Sequence, residues 1–406
     1  MNPWRGVGKL SREVWIQCGA TFINRSGTMV LPFLALYMHR TLGYSVQDAG
    51  IALTVYGFGA FATAPLAGRA SDHLGAGRVM IASLLLSGVM VIVLLTAKSF
   101  VTILLLTFVW SVISEAFRPA SLVTITELVS PEQRKTAFAV NRLAINLGMS
   151  IGPALGGFLI LFSYPLLFII DGVTSIIAGL ILILVPWQPA RQYHTHREQQ
   201  SGEVPPPARP SGVLSDRSLV YFLVVMIPVV IVFFQHEGAM PLYLVNNLYL
   251  SESAYGLLFT VNTALIIPLE VPLNIRMTHW SHRRALALGA FLSGLGFGAT
   301  GLATGSFTVA ITVVIWTFGE MILLPGAANY MADIAPADRR GVYMGLFQMM
   351  FSFAFAVSGW IGTSMLENFG GSVLWASTFI AGCVSTLLLW RVKQKTVNEV
   401  RSEAPP

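Results

Sequence analysis

The chain has 406 residues, of which 54% are hydrophobic and 11% charged. Soluble domains carry about 25% charged residues, so lipid rather than water surrounds most of this chain. Its formal charge of +6 comes from basic residues scattered over the loops in no stripe, which excludes a nucleic-acid partner.

Apolar runs long enough to cross a ~30 Å hydrocarbon core recur along the whole length. Twelve spans are predicted, at 14–38, 48–70, 77–97, 100–127, 136–162, 164–187, 217–246, 253–276, 283–304, 306–332, 338–365 and 371–392. The short basic segment before the first reads as a lead-in to a full span, not as a cleavable signal. The implied fold class is all-α and integral to the membrane. Its expected domains are a six-helix bundle over 1–187, a polar, proline-rich linker over 188–216, a second bundle over 217–393 and a tail over 394–406. His194 and His196 in the linker read as solvated residues rather than metal ligands. Cys18 and Cys383 fall inside apolar runs and read as small buried residues, with no metal or cofactor implied.

The loops alternate in charge. One set carries twenty Lys and Arg residues, and the other holds only Arg40 and Lys98. The positive-inside rule then places both termini and the linker in the cytoplasm, and the chain fits a bacterial inner membrane.

Slid by 205 residues, the sequence matches itself. "SPEQRKTAFAV" falls on "APADRRGVYMG", so that Pro131 meets Pro336 and Arg134 meets Arg339; Glu115 lands on Glu320 and Arg78 on Arg283. A repeat of six spans gives two halves of the same membrane orientation. In transporters built this way the substrate site lies near the midplane between the halves.

The fifth span contains "NLGMSIGPALGG" (146–157). Gly and Pro weaken a helix in water, but in lipid small residues let helices approach closely. Gly148, Gly152 and Gly156 recur every four residues and form one smooth stripe. Pro153 leaves a carbonyl without its amide partner and is expected to bend the helix.

"GMSIGPALGG" resembles the antiporter motif on the fifth helix of major facilitator superfamily drug/proton exporters, matched by Gly148, Gly152, Pro153, Gly156 and Gly157. "GRASDHLGAGR" (68–78) resembles the superfamily's signature loop, matched by Gly68, Asp72, Gly75 and Arg78 and departing at Ala70, His73, Ala76 and Gly77. "NRSGTMVLPFLALYM" and "MPLYLVNNLYLSESAYGLL" are similar to helices one and seven of the multidrug-efflux-like branch. The resemblance implies twelve helices in two parallel six-helix repeats. It also implies that Asp72 latches the inner gate, with a weakened latch because basic partners are missing.

A charge at the bilayer centre costs about 2.5–3.5 kcal/mol on insertion scales, so each one inside a span is a functional candidate. They are Arg25, Glu115 and Arg118, Arg142, Asp171, Glu237 beside His236, Glu270 and Glu320. Glu115 and Arg118 share a helix face and read either as a structural ion pair or as a proton-coupling carboxylate with its tuning cation, since desolvation and a nearby cation act oppositely on a carboxyl. Glu320 stands at the equivalent place with Leu323 where the Arg would be, and is a candidate for the proton or for a cationic substrate. Histidine as a residue type changes charge near neutral pH, which makes His236 a second coupling candidate; it and Glu237 are about 100° apart on a helix, so one of the two is expected to face the cavity. Asp171 reads as structural and Arg142 as gate-associated, too far apart in depth to pair. Glu270 is expected to reach water at its span's end. Arg25, Asn24, Tyr37, Trp110, Phe234 and Trp316 are the expected substrate contacts.

No phosphate-cradling loop and no nucleophile–base spacing stands out, which argues against ATP as energy source and against an enzyme. The leading expectation is a monomeric secondary transporter that exchanges protons for small amphipathic compounds. The alternatives are a proton-coupled importer, or a ligand sensor on the same fold.

Overall fold

The computed structural model describes residues 7–185, 213–336 and 339–392. The tail over 394–406, His194, His196 and all of the expected linker except its last few residues lie outside them; within that stretch Val213–Ser215 forms a short 3-10 turn. Every described element is helical. Among the described residues, eight stretches are long and apolar enough to cross a membrane, or nine with the bent helix over 46–74. One of the eight, Gly341–Leu389, is 49 residues long, about 74 Å of helix and more than two bilayer cores. It turns at Gly370, whose φ of 81° favours glycine. Ser377 Oγ then lies 3.8 Å from Met365 Sδ, twelve residues back, where a straight helix would separate them by about 18 Å. This stretch therefore holds the predicted eleventh and twelfth spans.

The first and seventh spans are not single helices. The first runs Arg12–Gly27, breaks at Thr28 and Met29, and resumes as Val30–Leu36. The seventh runs Arg217–Phe233, tightens into a 3-10 turn Phe234–His236 and resumes as Ala239–Asn246. Sliding Thr28 and Met29 by the repeat length lands on Phe233 and Phe234, so the breaks are equivalent. The fifth span, by contrast, runs unbroken through Pro153 from Pro131 to Leu159. Thr260 Oγ1 donates to the Ser150 carbonyl at 3.0 Å, next to the carbonyl that Pro153 deprives of an amide.

The described chain ends share one face. Lys9 O accepts from Gln133 Nε2 at 3.1 Å, and Val392 O accepts from Arg283 Nε at 2.6 Å. On the opposite, distal side the halves are closed on each other. There Tyr164 donates to Glu252 at 3.1 Å, Arg40 to Asn246 at 3.3 Å and the Trp360 amide to Thr54 at 3.0 Å.

Two matched seams make this closure. In one, the second span meets the eleventh: a Cβ on Gly57 would lie 2.3 Å from Ala356 Cα, and one on Gly50 2.7 Å from Gly359 O. In the other, the fifth meets the eighth: a Cβ on Gly256 would lie 2.2 Å from Pro153 O, and one on Gly157 2.6 Å from Glu252 O. The stripe Gly148, Gly152 and Gly156 faces a third direction, against the first span of its own half. There Cβ atoms would press on Arg25 Cβ, Arg25 O and the Phe33 ring at 2.5, 2.9 and 3.1 Å. The fifth span thus uses different glycines toward two helices.

Gly57→Leu or Gly256→Leu should disfavour the distally closed state by about 1–3 kcal/mol, the usual cost of overpacking. In a background without Cys18 and Cys383, Leu53→Cys, buried in this seam at 1% exposure, is expected to react several-fold faster with a membrane-impermeant maleimide when either substitution is present.

Candidate functional site

The break in the first span sets the site's geometry. It frees backbone N–H groups at a depth where no water is available to satisfy them. Asp171, from the sixth span, accepts from the amides of Met29 and Val30, each at 3.0 Å. The carboxylate serves as an N-cap supplied by another helix. Asp171 is therefore structural, as expected, and does not pair with Arg142. Asn24 is likewise tied to the sixth span, its Nδ2 donating to Ser175 Oγ at 3.0 Å.

Just before the break sits Arg25. Its guanidinium carbon lies 5.9 Å from the centroid of the Phe117 ring, a cation–π arrangement. Its Nε is buried without a hydrogen-bond partner. Glu115 is held from two sides: Tyr56 donates its hydroxyl to Oε1 at 3.0 Å, and Arg118 lies 3.7 Å from Oε2. The Arg118 side chain is 61% exposed, so this pair is open on one side. Trp110 packs edge-on behind Tyr56 at 5.0 Å, and Phe355 of the other half meets the same ring at 6.0 Å. Tyr37 is not in this cluster. It is buried against Phe168 at 4.7 Å in the core of the first half, a correction to its expected role at the substrate.

The seventh-span break carries the second group. On a continuous helix only one of His236 and Glu237 would face the cavity. Because the helix is broken there, His236 Nε2 instead lies 3.7 Å from Glu237 Oε1. His236 Nδ1 is 2.6 Å from the Phe233 carbonyl. Tyr255 donates its hydroxyl to the His236 carbonyl at 2.8 Å and also lies 3.3 Å from the carbonyl of Pro32. One buried phenol thus links the broken spans of both halves. A narrow space beside it is lined by His236, Met240, Tyr255, Leu258, Phe259 and Trp316. Phe234 stacks at its edge, between His236 and Phe355.

Glu320 lies elsewhere in the second half. Its Oε2 accepts from Asn262 Nδ2 at 2.8 Å, and the same amide reaches Thr317 at 3.0 Å. No cation lies within ion-pair distance of Glu320 among the described residues. Asn262 and Tyr255 were legible only as polar residues inside apolar runs, and nothing in the spacing tied them to Glu320 or to His236.

Arg142 pairs with Glu270 of the eighth span, joining the two halves toward the face of the chain ends. Glu270 is 7% exposed, so it does not reach water as expected; its partner is the cation on the facing helix. The signature loop lies at the surface. Asp72 and Arg78 are exposed, and Asp72 has no hydrogen-bond or ion-pair partner among the described residues. Gly75 makes the turn with a φ of 89°, and a Cβ on Gly68 would meet open space. In this distally closed state Arg142–Glu270 joins the halves on the face of the chain ends.

A family model described as Major Facilitator Superfamily matches residues 18–245 and again 236–405. In sequence the chain is 22% identical to the multidrug resistance protein MdtH of Aeromonas salmonicida, over 89% of this chain and 90% of that one. It is 22% identical to a Na(+), Li(+), K(+)/H(+) antiporter of Planococcus maritimus, over 89% and 93% of the two chains. In fold it is similar to the nucleoside transporter NupG, with a TM-score of 0.77 at 13% identity, over 93% of this chain and 97% of that one.

Asp171→Ala should leave two buried amides unsatisfied, at about 1–3 kcal/mol each, and lower the unfolding temperature of the purified protein. Asp171→Asn, which keeps an acceptor, should recover most of that loss. Arg142→Ala removes the partner of buried Glu270 and should lower thermal stability, by less than the ~3–5 kcal/mol of a fully buried pair because the Arg142 side chain is 59% exposed. The exchanged pair Arg142→Glu with Glu270→Arg is expected to restore both thermal stability and transport toward wild type.

Proposed function

As the chain belongs to the major facilitator superfamily and is a membrane transporter rather than an enzyme, we propose that it expels small amphipathic compounds in exchange for protons by alternating access. The observation that carries this reading is the unequal treatment of two repeat-equivalent carboxylates. Glu115 is paired with Arg118 and Tyr56, whereas Glu320 accepts from the neutral amide of Asn262 and has no cation within ion-pair distance among the described residues. A carboxyl without a cation, inside low-dielectric surroundings, binds a proton in one conformation and releases it when the cavity opens to water or a cation approaches. Export rather than import is supported by the fifth-span glycines, which resemble the antiporter motif and here seat the broken first span. The similarity to MdtH points the same way.

In this cycle the distally closed state takes its ligand from the face of the chain ends. Positive-inside asymmetry makes that face cytoplasmic. Parting the two seams while the Asp72 loop closes and the Arg142–Glu270 link persists would then present the ligand on the distal side. The substrate and protons are the only partners the reading requires, and the protein works as a monomer in the bilayer.

In proteoliposomes holding the purified protein, a panel of cationic dyes, antibiotics, sugars and peptides is added to either side under an imposed proton gradient. Movement of a compound against the proton flow, lost at least tenfold in Glu320→Gln or Glu115→Gln, is the expected result. Uptake along the proton gradient would convert the reading to symport. Binding without flux would convert it to a sensor.

A further inference from the structure

Resting on the proton-exchange reading above, we propose that Asn262 is the positioning residue through which the seam between the fifth and eighth spans sets the protonation of Glu320. Glu320 makes its hydrogen bond inside the second half, so movement of the halves needs a carrier to reach it. The eighth span, Glu252–Arg276, stands in the right place. On one face Gly256 meets the Pro153 carbonyl, where a Cβ would lie at 2.2 Å, and Thr260 donates to the Ser150 carbonyl at 3.0 Å. Asn262 is two residues further on, about 200° round the helix from Thr260, and bonds to the tenth span instead. One helix is thus held by the first half on one side and holds Glu320 on the other.

The chemistry of the amide fixes what it does. Its Nδ2 carries two hydrogens. One goes to Glu320 Oε2 at 2.8 Å and the other to Thr317 Oγ1 at 3.0 Å. Thr317 gives its own hydrogen to the Val313 carbonyl at 2.7 Å, so toward Asn262 it is an acceptor. Both contacts therefore call for a donor, and Nδ2 rather than Oδ1 faces the carboxyl. A donated N–H favours the ionised form of a carboxylate. With the seam closed, Glu320 is held ready to give up its proton. The charged groups within electrostatic range of it are Glu270 of the eighth span and Arg142 of the fifth, which are paired with each other. The ninth span meets the tenth there with Gly289 and Ser293, which carry no charge.

A hinge follows the amide. Pro268 and Pro272 lie inside the eighth span, and Pro268 leaves the Ala264 carbonyl without its helical amide. Past Pro268, Glu270 is paired with Arg142, and Asn274 donates to the Met321 carbonyl at 3.1 Å. That end of the helix is anchored, while the segment over 252–264 lies on the seam. When the seam parts, the segment swings about Pro268 and draws the Asn262 amide off Glu320. The carboxyl, now without its donor, takes a proton from water on the distal side. Closing the seam brings the amide back, and the proton leaves toward the face of the chain ends. The only covalent bond made and broken is the carboxyl O–H. Entry on one face and exit on the other is the order that exchange requires.

The test follows the carboxyl itself. Full-length protein in lipid nanodiscs is titrated with pH by infrared spectroscopy, and the protonated-carboxyl band missing from Glu320→Gln is assigned to Glu320. Asn262→Leu, of similar size but without a donor, should move the midpoint of that band up by about one pH unit, a tenfold gain in proton affinity. Asn262→Ala serves should the first variant fail to fold, and Asn262→Gln, which keeps an amide, should recover most of the shift. Gly256→Leu, which parts the seam, should move the midpoint the same way, but by less than about twofold in affinity once Asn262→Leu is present. Gly57→Leu gives the same comparison from the other seam. A midpoint unmoved in both Asn262→Leu and Asn262→Ala overturns the positioning role. Full additivity of the seam and Asn262 substitutions overturns the link, because opening then reaches Glu320 by another route. Either result, with proton-coupled transport still lost in Glu320→Gln, leaves the exchange reading standing. The expected shifts in a protein that moves no protons in proteoliposomes support the link and overturn the exchange reading instead. A Glu320 band that does not change with pH overturns this inference and the assignment of the exchanged proton to Glu320 together.

Discussion

Two backbone amides, those of Met29 and Val30, meet one carboxylate inside the membrane. The rest of the structure depends on that contact. A helix broken in lipid exposes groups that water cannot satisfy, so the first span is broken only because Asp171 stands where the amides emerge. The break in turn sets Arg25 beside the Phe117 ring and lays residues 25–28 along the fifth-span glycines. The equivalent break in the seventh span is satisfied differently. Gln235 donates to the carbonyls of Ile231 and Ser358, His236 to Phe233, and Tyr255 closes on the His236 carbonyl. One half uses a charge for this purpose and the other uses neutral groups.

Between the halves, contact is made by backbone against backbone. Lipid tails are as apolar as leucine, so bulky side chains gain little by leaving them for one another, and close approach over small residues holds the helices instead. The Gly50–Gly359 and Gly256–Pro153 approaches stand within one residue of repeat-equivalent places in the two seams. Smooth surfaces of this kind separate and close again without side chains having to disengage. Polar links also cross between the halves, at the ends, at the breaks and along the seams, where Thr54, Tyr255, Thr260 and the Arg142–Glu270 pair join them.

The titratable groups follow the same logic. His236 and Glu237 stand at a break, Arg25 beside the other, and Glu115 and Glu320 at repeat-equivalent places with unequal partners. Movement of the halves therefore changes the surroundings of each charge at once. Proton exchange in the proposed function needs no more than this: groups whose preference for a proton is set by contacts that the conformational change makes and breaks.

Much of this was legible in the residues alone. Length, low charge and the basic asymmetry of the loops specify a helical membrane protein, because hydrocarbon admits little else. The repeat length locates the second half, and the glycines at every fourth place foretell a close helix contact, because periodicity is a local property of one strand of sequence. Partners are not local. That Glu270 meets Arg142 instead of water, that the Pro153 helix runs on unbroken, that Asp171 caps a helix 142 residues away from it in the chain, and that His236 and Glu237 face each other were decided only when the helices packed. Those outcomes turn on distances across helix faces and on where backbone hydrogen bonds are given up, and no spacing along the chain encodes either.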